Sequence, residues 1–233
     1  MVPAALLLSA CKVDTTVDLS VRADGTGRVT VTAVADKELV ERTPGLAADL
    51  RFDDAVKAGW VNDSVSTPSA GGLQVVLHHD FTSVEQATAI LRSINGASGP
   101  LHDLTVLRTG TTDEVVTSLS GTLRIDGGLD AFADPKALAA IGGTPYANDI
   151  AAAHLKPADV VSITFVAHLP GNAAATTFSV PLDGTPLDVA THSRLTGGAS
   201  SNWGVLATVL LVALVVWCLA AAGFVGWVAR ERR

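Results

Sequence analysis

Cysteine is almost missing from this chain: two occur in 233 residues, Cys11 near the start and Cys218 in a long apolar run near the end. Residues 12–202 hold no thiol, which excludes a disulfide framework there and leaves that stretch to fold on its own apolar core. Basic charge is short as well, 16 Lys and Arg against 23 Asp and Glu. Without Arg230, Glu231, Arg232 and Arg233, the remainder carries 13 basic and 22 acidic residues, net −9. That balance argues against nucleic acid or an anionic surface as the main partner.

Catalytic signatures are missing too. The chain has no P-loop, no dinucleotide fingerprint and no Cys-x-x-Cys. Gly96-Ala97-Ser98-Gly99 falls one residue short of a nucleophile elbow and lacks its strand-to-helix setting. His78-His79-Asp80 is the dense polar cluster, and on a strand His78 and Asp80 point the same way. A metal site needs a third ligand, and His102, His154, His168 and His192 stand alone. The expectation is a binding module rather than an enzyme, with no catalytic residue, no metal and no cofactor.

What the sequence does have is alternation. Val13 to Arg22 places Val or Leu and Thr at odd positions and polar residues at most even ones, a period of two that marks a half-buried strand. Ala23-Asp24-Gly25-Thr26-Gly27 is a turn, and Arg28 to Ala35 resumes the alternation, so a hairpin is predicted. Helix formers at Asp36 to Arg42 and again at Leu46 to Ala58 flank Pro44-Gly45. Trp60 to Ser66 and Leu73 to Phe81 read as a second hairpin. Ser83 with Gln86 three residues on forms a capping box for a helix to Asn95, with Val84, Ala87, Leu91 and Ile94 at helical spacing. Leu104 to Arg108, Val115 to Ile125 and Val160 to Leu169 are further strands, and a short helix is expected from Asp134 to Ile141. Phe178 to Leu182 and Leu187 to Val189 suggest a last hairpin around Asp183-Gly184-Thr185-Pro186.

Charge is absent altogether between Arg194 and Arg230. Within that gap Trp203 to Val228 is long enough for a spanning helix, which needs about 20 residues. Trp203 and Trp227 suit the two interfaces, and Arg230, Arg232 and Arg233 place the C-terminus in the cytoplasm. At the other end Met1 to Cys11 is apolar with small residues ahead of the cysteine, and Leu8-Ser9-Ala10-Cys11 resembles the lipobox of bacterial lipoproteins. In that family the cysteine thiol carries diacylglycerol after signal-peptide cleavage. No basic residue precedes the apolar run, so the true start is expected upstream of Met1.

The lipobox, the Val13-Asp14-Thr15-Thr16-Val17-Asp18 strand with its Asp24-Gly25-Thr26-Gly27 turn, the Phe178-Ser179-Val180-Pro181-Leu182 strand and the C-terminal span together resemble the mycobacterial LppM lipoprotein family. The resemblance implies an exported α+β domain tethered to the actinobacterial envelope that binds lipid or glycolipid, such as a mannosylated phospholipid. In pathogenic members it implies an effect on how a host phagocyte handles the bacterium.

The resulting organisation is a signal-peptide remnant at 1–10, an exported domain at 11–190, a polar tether at 191–202, a transmembrane helix at 203–229 and a basic tail at 230–233. The fold class is α+β: a mostly antiparallel sheet with helices covering one face. Lipid attaches at Cys11, and the chain is a lipid-anchored, single-pass protein of the cell membrane with its domain outside. If the helices Leu46–Ala58 and Val84–Asn95 cover the sheet incompletely, Leu77, Phe81, Leu91, Phe165 and Phe178 line an acyl slot, which a larger side chain at Leu91 would fill. A scaffold or partner-binding protein of the envelope, showing an exposed apolar patch, is the competing class.

Overall fold

Alternating Val, Leu and Thr stiffen Val13–Val21 (β1) and Gly27–Ala35 (β2) into extended backbone, and the two pair antiparallel with Leu19 opposite Val29. Their turn is closed by Asp24, whose Oδ1 accepts from Thr26 N–H at 2.9 Å and Thr26 Oγ1 at 2.7 Å. Gly27 follows because a Cβ there would stand 2.3 Å from Phe81 Cζ. The structure, a computed structural model, describes residues 12–95, 99–111, 114–125 and 157–196.

Strands dominate a mixed α+β architecture. The remaining strands are β3 (Val61–Ser66), β4 (Leu73–Phe81), β5 (Leu101–Gly110), β6 (Glu114–Leu123), β7 (Val161–His168), β8 (Thr176–Ser179) and β9 (Leu187–Thr196). They form two sheets, β3-β4-β2-β1-β7-β8 and β5-β6-β9. In the larger sheet β1 runs parallel to β7, and its other pairings are antiparallel. Val84–Asn95 (α4) sends Val84, Ala87, Ile90 and Leu91 into one core with Leu19, Val29, Phe81 and Phe165. Leu104, Val106, Leu119, Leu123 and Val189 of the smaller sheet join the same core. Thr88 Oγ1 of α4 accepts from Val106 N–H of β5 at 3.0 Å, which stitches helix to sheet.

The α4 cap forms with one displacement. Ser83 Oγ accepts from Gln86 N–H at 3.3 Å, while Gln86 Oε1 reaches Thr82 N–H at 2.8 Å, one residue upstream of the position a capping box uses.

Three expectations are corrected. Leu46 to Ala58 is not one helix but two, α2 (Leu46–Asp49) and α3 (Asp53–Lys57), separated by Leu50 at ψ 130°. Pieces this short are marginal without tertiary packing, and neither buries a residue. The last hairpin does not form either: β8 pairs with β7, while β9 enters the smaller sheet beside β6. Pro181 and Pro186 flank the turn and have no N–H to continue a shared ladder. The polar tether does not begin at 191, since β9 runs to Thr196 and buries Ser193. Small polar residues on the inward side of β9 hide its alternation.

By packing, the chain divides into one unit of Met1–Thr109 with Val116–Leu195 and a second of Gly110–Val115 with Thr196–Arg233. In the second, the described part includes the β5–β6 tip, where Thr111 N–H donates to Glu114 O at 2.9 Å. The expected helix at 134–141 lies outside the described residues.

Candidate functional site: a half-covered apolar sheet face

Residues paired across neighbouring strands share a face, so the register sorts the six-stranded sheet into rows. One row joins His79, Val29, Leu19 and Ala167. The next joins Leu77, Val31, Val17, Phe165 and Phe178. A third joins Val65, Val75, Ala33, Thr15 and Ile163. All are on the side that α4 covers.

Coverage falls along these rows. Val29, Leu19 and Ala167 are sealed. In the next row Phe165 and Val17 are buried, but Leu77, Val31 and Phe178 are only half-buried. In the third, Val75, Ala33 and Thr15 are half-buried, and Val65 is 42% exposed. The apolar face is therefore closed near α4 and partly open across Leu77, Val31, Val75 and Ala33, while Ile163 in the third row and Leu73, paired with Ala35 at the end of β2, are buried at 7% exposure each.

The five expected slot residues fall on both sides of this divide. Phe81 at 2%, Leu91 at 0% and Phe165 at 0% exposure are packed into the core, where no acyl chain reaches them without displacing it. Phe165 lies 6.5 Å from Phe178 between ring centroids, tilted by 42°. Leu77 and Phe178 border the open part. Val31, Ala33, Val75 and Val65 belong with them and were not picked out; their register with Leu77 carries the signal, which needs strand pairing to be seen.

Next to the open part stands the segment from Asp36 to Trp60, which includes α1 (Lys37–Arg42), α2 and α3. Asp36 caps α1, with its Oδ1 accepting from Leu39 N–H at 2.7 Å. At the far end Gly59, at φ 94°, closes α3: Gly59 N–H donates to Val56 O and Trp60 N–H to Ala55 O, each at 3.0 Å. Trp60 is buried and meets His79 edge-on, centroids 5.6 Å apart. Trp60 thus pins the segment at one end while no residue of α1, α2 or α3 is buried. An open polar depression lies on α1, lined by Asp36, Lys37, Glu38, Glu41, Arg42 and Ala70.

The opposite sheet face is polar and paired. Arg28 Nε and Nη2 grip Asp80 at 2.7 and 3.1 Å across β2 and β4, and this bond holds the Asp80 carboxyl below its usual range and raises Arg28. His78 is largely buried, with Nδ1 2.7 Å from Asp63 Oδ2. The irregularity between Asn62 and Ser64 in β3 brings Asp63 there. Among the described residues no group of three or more His, Cys, Asp or Glu is placed to hold a metal. Asp14 accepts from Ser162 Oγ at 2.6 Å across β1 and β7, which with Lys12 lowers its carboxyl.

Cys11 and the span Trp203 to Val228 lie outside the described residues. Among the described residues no helix is long and apolar enough to cross a membrane. No protein-family model matches the chain, and no curated protein matches it. Among solved structures it is similar to the NMR structure of the folded domain of LppM from Mycobacterium tuberculosis. That likeness has 11% identity and a TM-score of 0.39, and covers 83% of this chain and 96% of that one.

Proposed function

We propose that this chain is an exported lipoprotein, anchored through Cys11 and the span 203–229, whose folded domain binds a lipid or glycolipid of the envelope without catalysing its conversion. The observation that supports this reading is the unevenly covered apolar face. Leu77, Val75, Val31 and Ala33 are aligned in register, apolar and only half-buried, beside a segment in which no residue of α1, α2 or α3 is buried and Ala55 packs against the core at partial exposure. An acyl chain laid along these rows removes apolar surface from water at about 25 cal/mol per Å². The polar depression on α1 offers carboxylates and cations to a hydroxylated headgroup such as that of a mannosylated phospholipid.

The test is photo-crosslinking of the full chain in nanodiscs with a phospholipid that carries a diazirine on its acyl chain. Adducts are expected on peptides holding Val31–Ala33 and Val75–Leu77. Adducts confined to residues 203–229 would refute the slot.

A partner-binding role is the second reading. It is favoured by β3, an edge strand of the larger sheet on which all six residues are exposed, Val61 at 50%. Such an edge accepts an added strand.

A further inference from the structure

Between β2 and Trp60 the chain carries Leu39, Val40, Leu46, Leu50, Phe52 and Val56, and every one keeps contact with water, Val56 at 55% exposure. Five of the six are partly buried and Val56 is exposed, so the segment keeps large apolar side chains at the surface, as segments that meet another apolar phase do. Asp36 shows where that segment stands relative to Lys12. Its Oδ2 accepts from Lys12 N–H at 2.8 Å, and its own N–H donates to Lys12 O at 2.9 Å. Cys11 is the next residue, and consecutive Cα atoms are about 3.8 Å apart. A diacylglyceryl group on Cys11 would thus be tethered one residue before Lys12, the residue that bonds Asp36 at the start of α1.

We infer that α1–α3 is the face on which the domain rests on the bilayer, with Leu46, Leu50, Phe52 and Val56 entering the interface. The inference rests on the proposed anchoring at Cys11 and adds to it a second, non-covalent contact. Its occupant is a lipid surface rather than a protein, because the anchor brings the bilayer to this segment. Residues 36–59 hold four basic and six acidic side chains, so attraction to anionic lipid does not drive the contact. Insertion of apolar side chains does, and the contact is insensitive to salt.

The experiment uses the full chain with Cys218→Ser, purified from a host that lipidates it, with an environment-sensitive fluorophore on Val56→Cys. A parallel chain carries the label on Leu107→Cys, a comparably exposed position on β5. Both are reconstituted in phosphatidylethanolamine–phosphatidylglycerol vesicles with and without nitroxide-labelled lipid, and the mass of each chain reports acylation of Cys11. An acylated chain quenched at least threefold more at 56 than at 107, in low and high salt alike, is the expected result. An acylated chain with equal quenching at the two positions, or none at 56, overturns the inference and leaves the anchoring intact. A mass without acyl groups overturns the anchoring, and the inference with it.

Discussion

Asp36 and Lys12 hold each other by two hydrogen bonds, at 2.8 and 2.9 Å, while the second oxygen of the same carboxylate caps α1 through Leu39 N–H. One side chain thus joins Lys12, just ahead of β1, to the first turn of the segment beside the open apolar face. Asp36→Ala removes the two carboxylate bonds, from Lys12 N–H and from Leu39 N–H, and leaves the backbone bond from Asp36 N–H to Lys12 O. The loss is expected to be about 1–2 kcal/mol, a fall in Tm of several degrees, with faster amide exchange at residues 37–42. Asp36→Asn keeps an acceptor for Leu39 N–H and should recover most of the protection. Unchanged exchange in Asp36→Ala would show that the cap is dispensable.

Acid sensitivity follows from Asp80. The Arg28 hydrogen bond is the main cause that lowers its carboxyl in the folded state, with the charges of Arg28, His78 and Arg22 adding to it. A carboxylate depressed on folding stabilises above its unfolded value of about 3.9, and that stability is lost as pH falls through the folded value. Tm should therefore drop below about pH 4, and part of that drop should vanish in Asp80→Asn. Asp14, lowered by Ser162 and then by Lys12, contributes in the same direction. Identical pH profiles for the variant and the parent would remove the Arg28–Asp80 pair as a cause.

The first hairpin was legible because one face of each strand is apolar at period two: Val17, Leu19, Val21 and Val29 are buried as alternation requires. Helix α4 was legible from its cap and from Val84, Ala87 and Leu91. The division into two sheets was not, since nothing in the sequence of β8 or β9 says which strand either takes as its neighbour, and only pairing decides. Leu77 and Phe178 border the half-covered rows, whereas Phe81, Leu91 and Phe165 point inward as their spacing says but into a filled core. Periodicity gives the direction of a side chain and says nothing of what covers it.

Membrane placement is tested at the two ends. An alkaline phosphatase fusion at Ser200 should be active and one after Arg233 inactive if the proposed span is present, because the arginines lie on one side of it. Metabolic labelling with an alkyne fatty acid should tag the chain, and Cys11→Ala should abolish the tag. Labelling that survives the substitution would move the acyl group to Cys218.

Two hydroxyls are buried without a hydrogen-bond partner among the described residues, Thr117 Oγ1 on β6 and Ser193 Oγ on β9. Desolvating such a group unpaired costs about 1–3 kcal/mol. Thr117→Val keeps the shape and removes the penalty, so a gain of about 1 kcal/mol in denaturant unfolding is expected. A loss of comparable size would mean that the hydroxyl is satisfied in solution.

The open and closed parts of the apolar face separate under one substitution made twice. Leu91 is fully buried on α4, so Leu91→Trp overpacks the core and should cost about 1–3 kcal/mol. This reverses the expectation that a larger residue there fills a slot and leaves the fold intact. Leu77 borders the open rows, where an indole has room to lie over Val31 and Val75. Leu77→Trp should therefore leave Tm within a few degrees of the parent while cutting lipid binding. Parent binding is expected to be micromolar, about −8 kcal/mol, which is modest for two acyl chains at roughly 0.8 kcal/mol per buried CH₂ and implies partial insertion. Titration of nanodisc-embedded chain with a fluorescent short-chain phospholipid, beside a thermal melt of each variant, reads both effects. If Leu77→Trp binds as the parent does while Leu91→Trp alone loses binding, the ligand lies against α4 and the open rows are not its site.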